Sequence, residues 1–272
     1  MPTVNELLDR YVPEHLPTLA RRTQIDQLRY VELLRLAFGD RDAESIKPKD
    51  IGQFLDVRKG RISRGKVVSV LANMYKLAVG RWFLVESNPC RDIIMPKAGR
   101  RTRYITDAEY AAVYALCSPR LQVAMDLALL TGQRQGDVLA LKWSHIDVNE
   151  RIIHIRQGKT GKRFGIYITP ALEDVLVRAK RMTPALPRAY VLRTKDGDRY
   201  TSEGFRAMWQ RGMKKAVALG AIKEKFTFHD IRAKAASDSP DMKAASSLLG
   251  HQDERITKSV YDRSIRIVQP LR

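Results

Sequence analysis

The chain has 272 residues, of which 44% are hydrophobic, enough for one large domain or two ordinary domains with packed cores. Lys and Arg number 49 against 30 Asp and Glu, and the resulting formal net charge of +19 predicts a polyanionic partner, nucleic acid first and an anionic membrane surface second. No run of about 18 apolar residues occurs, which excludes a transmembrane helix. Without a signal-peptide pattern, and with Cys90 and Cys117 lacking partners at metal-ligand spacing, we expect a cytoplasmic protein.

The first 95 residues predict a compact helical bundle. Thr3 and Glu6 have the spacing of a capping box and open a short helix through Tyr11. Apolar residues at helical spacing continue the pattern, and Gly39 is suited to end the second helix. These further helices are predicted over residues 18–38, 48–57 and 63–84.

Residues 96–103 predict a basic linker, because proline, glycine and dense positive charge interrupt the helical pattern there. A linker of this kind is either a solvated surface loop or a segment that lies along a phosphate backbone. The charge of the whole chain favours the second interpretation. The residues expected to contact DNA are Lys97, Arg100, Arg101 and Arg103 in this segment and Lys162 later in the chain.

Residues 104–272 predict a second domain that is mostly helical and carries a small sheet. Ser118-Pro119 separates two helices, and two strand-like segments flank Gly158-Lys159-Thr160-Gly161-Lys162 as a β-hairpin. The predicted helices span residues 107–117, 120–130, 170–181, 201–219, 230–237 and 242–249, and the strands span 151–156 and 164–168. The fold class is therefore mainly α with a small β-sheet.

Five local patterns in the second domain carry chemically useful side chains. Taken singly, each has an ordinary explanation, such as a surface arginine, a solvated hairpin lysine, a helix-capping histidine or a packed tyrosine. In chain order they are Arg134 after Thr131-Gly132, Lys159 in the hairpin loop, His229 and Arg232 one helical turn apart, His251 after Leu248-Leu249-Gly250, and Tyr261.

Together these side chains suit the attack of a phenol on a phosphodiester. Arginine matches the phosphate oxygens in a bidentate manner and keeps its charge. A tyrosine with a pKa of about 10 needs a proton acceptor or a strongly positive site to react at neutral pH. The leaving 5′-oxygen needs a proton donor, for which Lys159 is the first candidate and Lys162 the second. No acidic cluster suited to Mg²⁺ stands out, so we expect neither metal nor cofactor.

The ordered set Arg, Lys, His-x-x-Arg, His and Tyr resembles that of the tyrosine recombinase, or phage integrase, family, and the resemblance covers nearly the whole chain. It implies an all-α, SAM-like core-binding domain over residues 1–95 and a catalytic domain over 104–272, joined by the linker. It also implies that Tyr261 is the nucleophile, that Arg134 and Arg232 clamp the scissile phosphate, and that His251 donates a hydrogen bond to it. His229 would assist proton removal, and Lys159 would protonate the leaving oxygen.

The same resemblance implies site-specific recombination through a 3′-phosphotyrosyl intermediate and a Holliday junction. The expected partners are a specific double-stranded DNA site, three further copies of the chain, and accessory DNA-bending or directionality proteins. Many members carry an arm-binding domain first, whereas the predicted bundle begins almost at residue 1, so we expect a simpler recombinase. Two alternatives remain open, namely a type IB topoisomerase-like enzyme and a non-catalytic DNA-binding protein on the same scaffold.

Overall fold

The structure is a computed structural model of the full chain, and it describes residues 1–57, 61–95, 99, 101–182, 189–250 and 253–263. The chain divides into two compact units, residues 1–99 and 100–272. Of the predicted linker, residues 96–98 and 100 lie outside the described residues, and the finer division into domain, linker and domain stays a prediction.

The described residues of the first unit form four α-helices, as the apolar spacing predicts. They are α1 (Val4–His15), α2 (Arg21–Phe38), α3 (Pro48–Val57) and α4 (Arg61–Gly80). The Thr3–Glu6 capping box is present, and Gly39 caps the end of α2. Leu8, Leu34 and Leu71 come from three of these helices and are fully buried in one core.

Four helix boundaries in this unit differ from the prediction, two of them at α4, which spans Arg61–Gly80 where a helix over 63–84 was expected. Helix α1 continues past Tyr11 to His15, with Pro13 in its last turn. Helix α2 begins at Arg21 because residues Leu16–Thr18 form a separate 3₁₀ turn, which carries Pro17 and buries Leu16. A buried leucine in a connecting turn gives no helical periodicity, so the sequence does not reveal where one element ends and the next begins.

The second unit surrounds a core of its own with helices and a small sheet. The helices are α5 (Asp107–Leu116), α6 (Pro119–Thr131), α7 (Gln135–Ala140), α8 (Pro170–Arg181), α9 (Ser202–Ala218), α10 (Phe228–Ser237), α11 (Met242–Leu249) and the single turn α12 (Glu254–Ile256). Ser118-Pro119 breaks the chain between α5 and α6 as expected, with Pro119 at the first helical position. The mainly helical fold class is confirmed.

The sheet has three antiparallel strands in the order β1 (Ile146–Asp147), β2 (Ile152–Arg156) and β3 (Arg163–Tyr167). The predicted hairpin is β2–β3, in register with Ile152 opposite Tyr167 and Arg156 opposite Arg163. Along β2, buried and exposed residues alternate, which anchors the hairpin on the core. Strand β1 was not predicted, because two residues are too few to show a periodic pattern.

No helix in the described part of the chain is both long enough and apolar enough to cross a membrane.

Candidate active site

Arg134 stands in a tight turn between α6 and α7. Gly132 ends α6 in the left-handed region, at φ 62°, and a Cβ there would lie only 3.0 Å from Leu249 Cδ2. Arg134 then forms the N-cap of α7, and its carbonyl oxygen accepts from the backbone N–H of Asp137 at 2.9 Å. The turn therefore requires glycine, and it places the Arg134 side chain at the start of a new helix.

Helix α10 carries His229 and Arg232 one turn apart. The helix starts at a capping box formed by Thr227 and Asp230, which places both candidate residues in its first two turns. Arg232 is only 1% exposed, and its guanidinium donates to two backbone carbonyl oxygens, those of Gly132 and Leu249. Arg232 thereby joins the ends of α6 and α11 at one point.

The positive charge of Arg232 acts on neighbouring groups, because the two carbonyl oxygens orient its guanidinium and carry no negative charge that would neutralise it. Burial lowers the pKa of Arg232, and the positive charge of Arg134 lowers it further. Two arginines thus lie close enough to repel each other electrostatically in the absence of a ligand. An anion placed between them would relieve that repulsion.

Tyr261 lies against this pair of helical residues. It ends a wide turn, Thr257–Tyr261, that follows α12 and is closed by a bond of 3.0 Å from the Asp262 N–H to the Thr257 carbonyl oxygen. Its ring centroid is 5.8 Å from that of His229, and the Arg232 guanidinium carbon lies 5.2 Å from the Tyr261 ring. Arg232 and Tyr261 also share a side-chain hydrogen bond. Tyr261 is only 8% exposed.

The surroundings of His229 favour the neutral form of its imidazole at physiological pH. Its ring still reaches solvent, yet the protein atoms around it remove enough water to lower its pKa below the usual 6.5. The positive charge of Arg232 lowers the pKa further. A neutral imidazole next to a phenol can accept a proton from it.

The loop of the β2–β3 hairpin carries Lys159, whose side chain is exposed. The loop is held at its base, where the Gly158 N–H donates to Asp137 Oδ1 at 2.8 Å. Its far side is fixed by Thr160, whose hydroxyl donates to Gln157 Oε1 at 3.0 Å, and the same oxygen accepts from Arg134 Nη1 at 2.9 Å. Lys162 is half-buried at the end of the loop. The structure therefore attaches the lysine loop to the side chain of Arg134.

The basic residues predicted to contact DNA differ in their surroundings. Arg101 donates to Asp230 and to Thr227, yet 60% of its side chain stays exposed. Arg103 forms ion pairs with the carboxylates of Glu109 and Glu224, and its side chain is mostly buried. Lys97 and Arg100 lie outside the described residues, as does His251.

Several residues in this site were not singled out from the sequence. Gln133 and Gln157 bridge the elements that carry Arg134 and Lys159, while Asp230 pairs with Arg263, two residues after Tyr261. The sequence marks these residues only by their position beside a motif, since Gln133 directly precedes Arg134 and Asp230 directly follows His229. A polar residue beside a motif has no periodic signature that would distinguish a buried hub from a solvated side chain.

Within the described residues, no group of three or more His, Cys, Asp or Glu side chains is arranged to hold a metal ion. The expectation that the site works without metal stays a prediction.

Comparison with known proteins gives three findings. The model of the phage integrase family matches residues 103–266. The integrase of Escherichia phage HK022 is 26% identical over 274 residues, covering 96% of this chain and 76% of its own length. A lambda integrase dimer bound to a COC′ core site superposes with a TM-score of 0.83 at 22% identity, covering 100% of this chain and 80% of that chain.

A lambda integrase tetramer bound to a Holliday junction gives a TM-score of 0.82 at 22% identity, with 99% of this chain and 80% of that chain covered. At this level of identity the likeness to both structures is one of fold.

Proposed function

The chain belongs to the phage integrase family, and we propose on that premise that it breaks and rejoins DNA through a covalent bond between Tyr261 and a scissile phosphate. It is a site-specific DNA recombinase, an enzyme of the integrase type. The observation that carries the residue assignment is the packing of Tyr261 against Arg232 and His229, which puts a phenol, a permanent cation and a neutral base side by side.

The first step is an exchange of one phosphate ester for another. The Tyr261 oxygen attacks phosphorus, the bond to the 5′-oxygen breaks, and a 3′-phosphotyrosyl ester forms. The phenolic proton passes to His229, whose lowered pKa keeps it able to accept, and Lys159 supplies a proton to the 5′-oxygen. Attack by a 5′-hydroxyl of the partner duplex reverses these events. The ester bond is conserved throughout, so no ATP is consumed.

The phosphate is held by Arg134 and Arg232, with His251 as a further hydrogen-bond donor. The positive charge of Arg134 disfavours that of Arg232, and the negative charge that grows on the phosphate in the transition state is matched to such a pair of cations. Because Arg232 contacts Tyr261, a phosphate within reach of the phenolic oxygen is also within reach of Arg232.

The partner in this reaction is double-stranded DNA at a specific recombination site. The net charge of +19 suits a phosphate backbone, and the fold is that of lambda integrase, which has been solved as a tetramer on a Holliday junction. We propose the same stoichiometry here, with four copies of the chain exchanging strands between two duplexes. Accessory DNA-bending or directionality proteins would join that complex.

Substitution of the nucleophile tests the function. Tyr261→Phe removes one hydroxyl and leaves the ring in its packing site, so DNA affinity should stay close to that of the unmodified chain. On a suicide DNA substrate that traps the covalent intermediate, the variant should form no adduct that survives SDS. The matched control is Tyr167→Phe, which alters a strand residue that is 76% exposed and should form adducts normally.

Adduct formation by Tyr261→Phe would assign the nucleophile to another residue. If the unmodified chain binds DNA but forms no adduct, it is a non-catalytic binding protein on a recombinase scaffold.

A further inference from the structure

Gln157 is a fully hydrogen-bonded, buried side chain next to the proposed active site. It directly follows β2 and is only 1% exposed. Its backbone N–H donates to the Lys162 carbonyl oxygen at 2.9 Å, and its own carbonyl oxygen accepts from the Gly161 N–H at 2.8 Å. Gln157 is thus the residue that closes the loop on which Lys159 stands.

The side-chain amide makes hydrogen bonds with four groups, which come from the turn before α7, the hairpin loop and the end of α11. Its oxygen accepts from Arg134 Nη1 at 2.9 Å and from the Thr160 hydroxyl at 3.0 Å. Its nitrogen donates to Gln133 Oε1 and to the Leu249 carbonyl oxygen, both at 2.9 Å. These bonds match the full capacity of a primary amide, which has two donors and two acceptor lone pairs.

The hydrogen-bond partners of the Gln157 amide favour a single orientation of its oxygen and nitrogen. Reversing it would place the NH₂ group against the Arg134 guanidinium, donor facing donor, and the oxygen against the Leu249 carbonyl, acceptor facing acceptor. A buried polar group without a partner loses the hydrogen bonds it made to water, so the surroundings strongly disfavour the reversed orientation. Glutamine is therefore matched to this position in a way that neither Glu nor Leu can be.

Gln157 is also connected to the second arginine, Arg232, and lies against the residues that precede His251. The Leu249 carbonyl oxygen that accepts from Gln157 accepts from Arg232 Nη2 as well, at 2.8 Å. The next residue, Gly250, passes so close that a Cβ on it would lie 3.0 Å from Gln157 Nε2. His251 follows Gly250 in the sequence.

We propose that Gln157 is a positioning residue that holds Arg134 ready for the scissile phosphate and ties the Lys159 loop to the same point. This role rests on the function proposed above. A neutral amide oxygen is the suitable partner for such an arginine, because it fixes the guanidinium without cancelling its charge. A carboxylate at this place would instead form a charge-assisted pair and compete with the phosphate.

The test compares two DNA substrates that differ in the charge of the scissile group. One carries the natural phosphate, and the other an uncharged methylphosphonate, which needs less from an arginine clamp. With full-length protein, Gln157→Leu should slow adduct formation on the phosphate by about 10- to 100-fold, the loss expected when a clamping group is misplaced. The defect should shrink on the methylphosphonate. Gln122→Leu, which removes a glutamine bond to the Tyr114 carbonyl oxygen away from the site, should cleave both substrates normally.

A second variant keeps the proposal testable if Gln157→Leu does not fold. Gln157→Glu has nearly the same shape, but it neutralises Arg134 and offers no donor to Leu249. It should also be slow on the phosphate and closer to normal on the methylphosphonate. Combining either variant with Arg134→Ala should add little to the defect of Arg134→Ala alone, because both changes act through the same guanidinium.

Equal slowing on the two substrates, at a lowered thermal midpoint, would mean that Gln157 only maintains the fold and would overturn its positioning role. Normal rates in Gln157→Leu would overturn it too. Either result leaves the proposed function intact as long as the unmodified chain forms adducts and Tyr261→Phe does not. Absence of adducts in the unmodified chain would instead overturn the proposed function itself, and the role of Gln157 with it.

Discussion

At the scale of single residues, the site combines permanent cations with a base that is kept uncharged. Arg232 is held by the carbonyl oxygens of Gly132 and Leu249, and Arg134 by the amide oxygen of Gln157. None of these partners carries a negative charge. The positive field that results favours a phosphate in the site. Burial lowers the pKa of His229, and the charge of Arg232 lowers it further, so that the imidazole is kept in its neutral form.

The low pKa of His229 predicts how cleavage depends on pH. A general base must be neutral to act, and a pKa below 6.5 means that His229 is neutral at pH 7 and becomes protonated only at lower pH. The rate of adduct formation on a suicide substrate should therefore be level near pH 7 and fall below about pH 6.5. His229→Gln should be about 100- to 10,000-fold slower and should lack this decline.

An acidic decline centred above pH 6.5, or one that persists unchanged in His229→Gln, would assign the proton acceptor to another group. DNA affinity measured over the same pH range serves as the control, because weaker binding at low pH would imitate a slower reaction.

At the scale of elements, helix α10 organises the segment that carries the nucleophile. Its last residue, Ser237, donates to the Tyr261 carbonyl oxygen at 3.1 Å and accepts from the Arg263 N–H at 2.8 Å. Asp230, in its first turn, accepts from Arg263 Nη1 at 2.8 Å, and both side chains are almost fully buried. The helix that bears His229 and Arg232 therefore also fixes the chain immediately after Tyr261.

This attachment predicts the effect of Arg263→Gln. Loss of the guanidinium removes the buried ion pair with Asp230, although Thr227 and Arg101 still donate to that carboxylate. The segment around Tyr261 should then be less well held, and adduct formation should slow by about 10- to 100-fold while DNA affinity stays the same. Hydrogen exchange over residues 257–263 should quicken in parallel.

The matched control is Arg151→Gln, which breaks an exposed ion pair with Glu173. Exposed pairs of this kind contribute about 0–1 kcal/mol, so both the cleavage rate and the exchange should stay normal. An Arg263→Gln variant indistinguishable from this control would show that Ser237 alone is sufficient to hold the segment.

At the scale of the whole molecule, positive charge is the dominant property. If the net charge of +19 allows the chain to neutralise about 8 phosphates, the logarithm of the DNA association constant should fall against the logarithm of salt concentration with a slope of about −7. Arg101 is the basic residue of the predicted linker that remains largely exposed among those described. Arg101→Gln should therefore make the slope shallower by about one.

Titrations at several salt concentrations measure this slope. Arg103→Gln provides an informative contrast, because Arg103 is already paired with Glu109 and Glu224, so its loss should affect stability more than the slope. The Arg151→Gln variant again serves as control. An unchanged slope in Arg101→Gln would show that this arginine serves only its partners Asp230 and Thr227.

The sequence by itself determined the longer helices, the hairpin and the ordered set of candidate residues. The Thr3–Glu6 capping box, the Ser118-Pro119 break and the strand-like composition of the hairpin are local signals, because each depends on residues a few positions apart. The short strand β1 and the 3₁₀ turn at Leu16 escaped prediction, since each is too short to show a pattern.

Only the tertiary structure decided how the candidate residues are held. Arg232 is bonded to the Gly132 carbonyl oxygen across 100 positions of the chain, and Gln157 to that of Leu249 across 92. The pairing of Asp230 with Arg263 is of the same kind. Such contacts form because packing brings distant elements together and a buried polar group must find a partner there. No local pattern in the sequence records which partner that is.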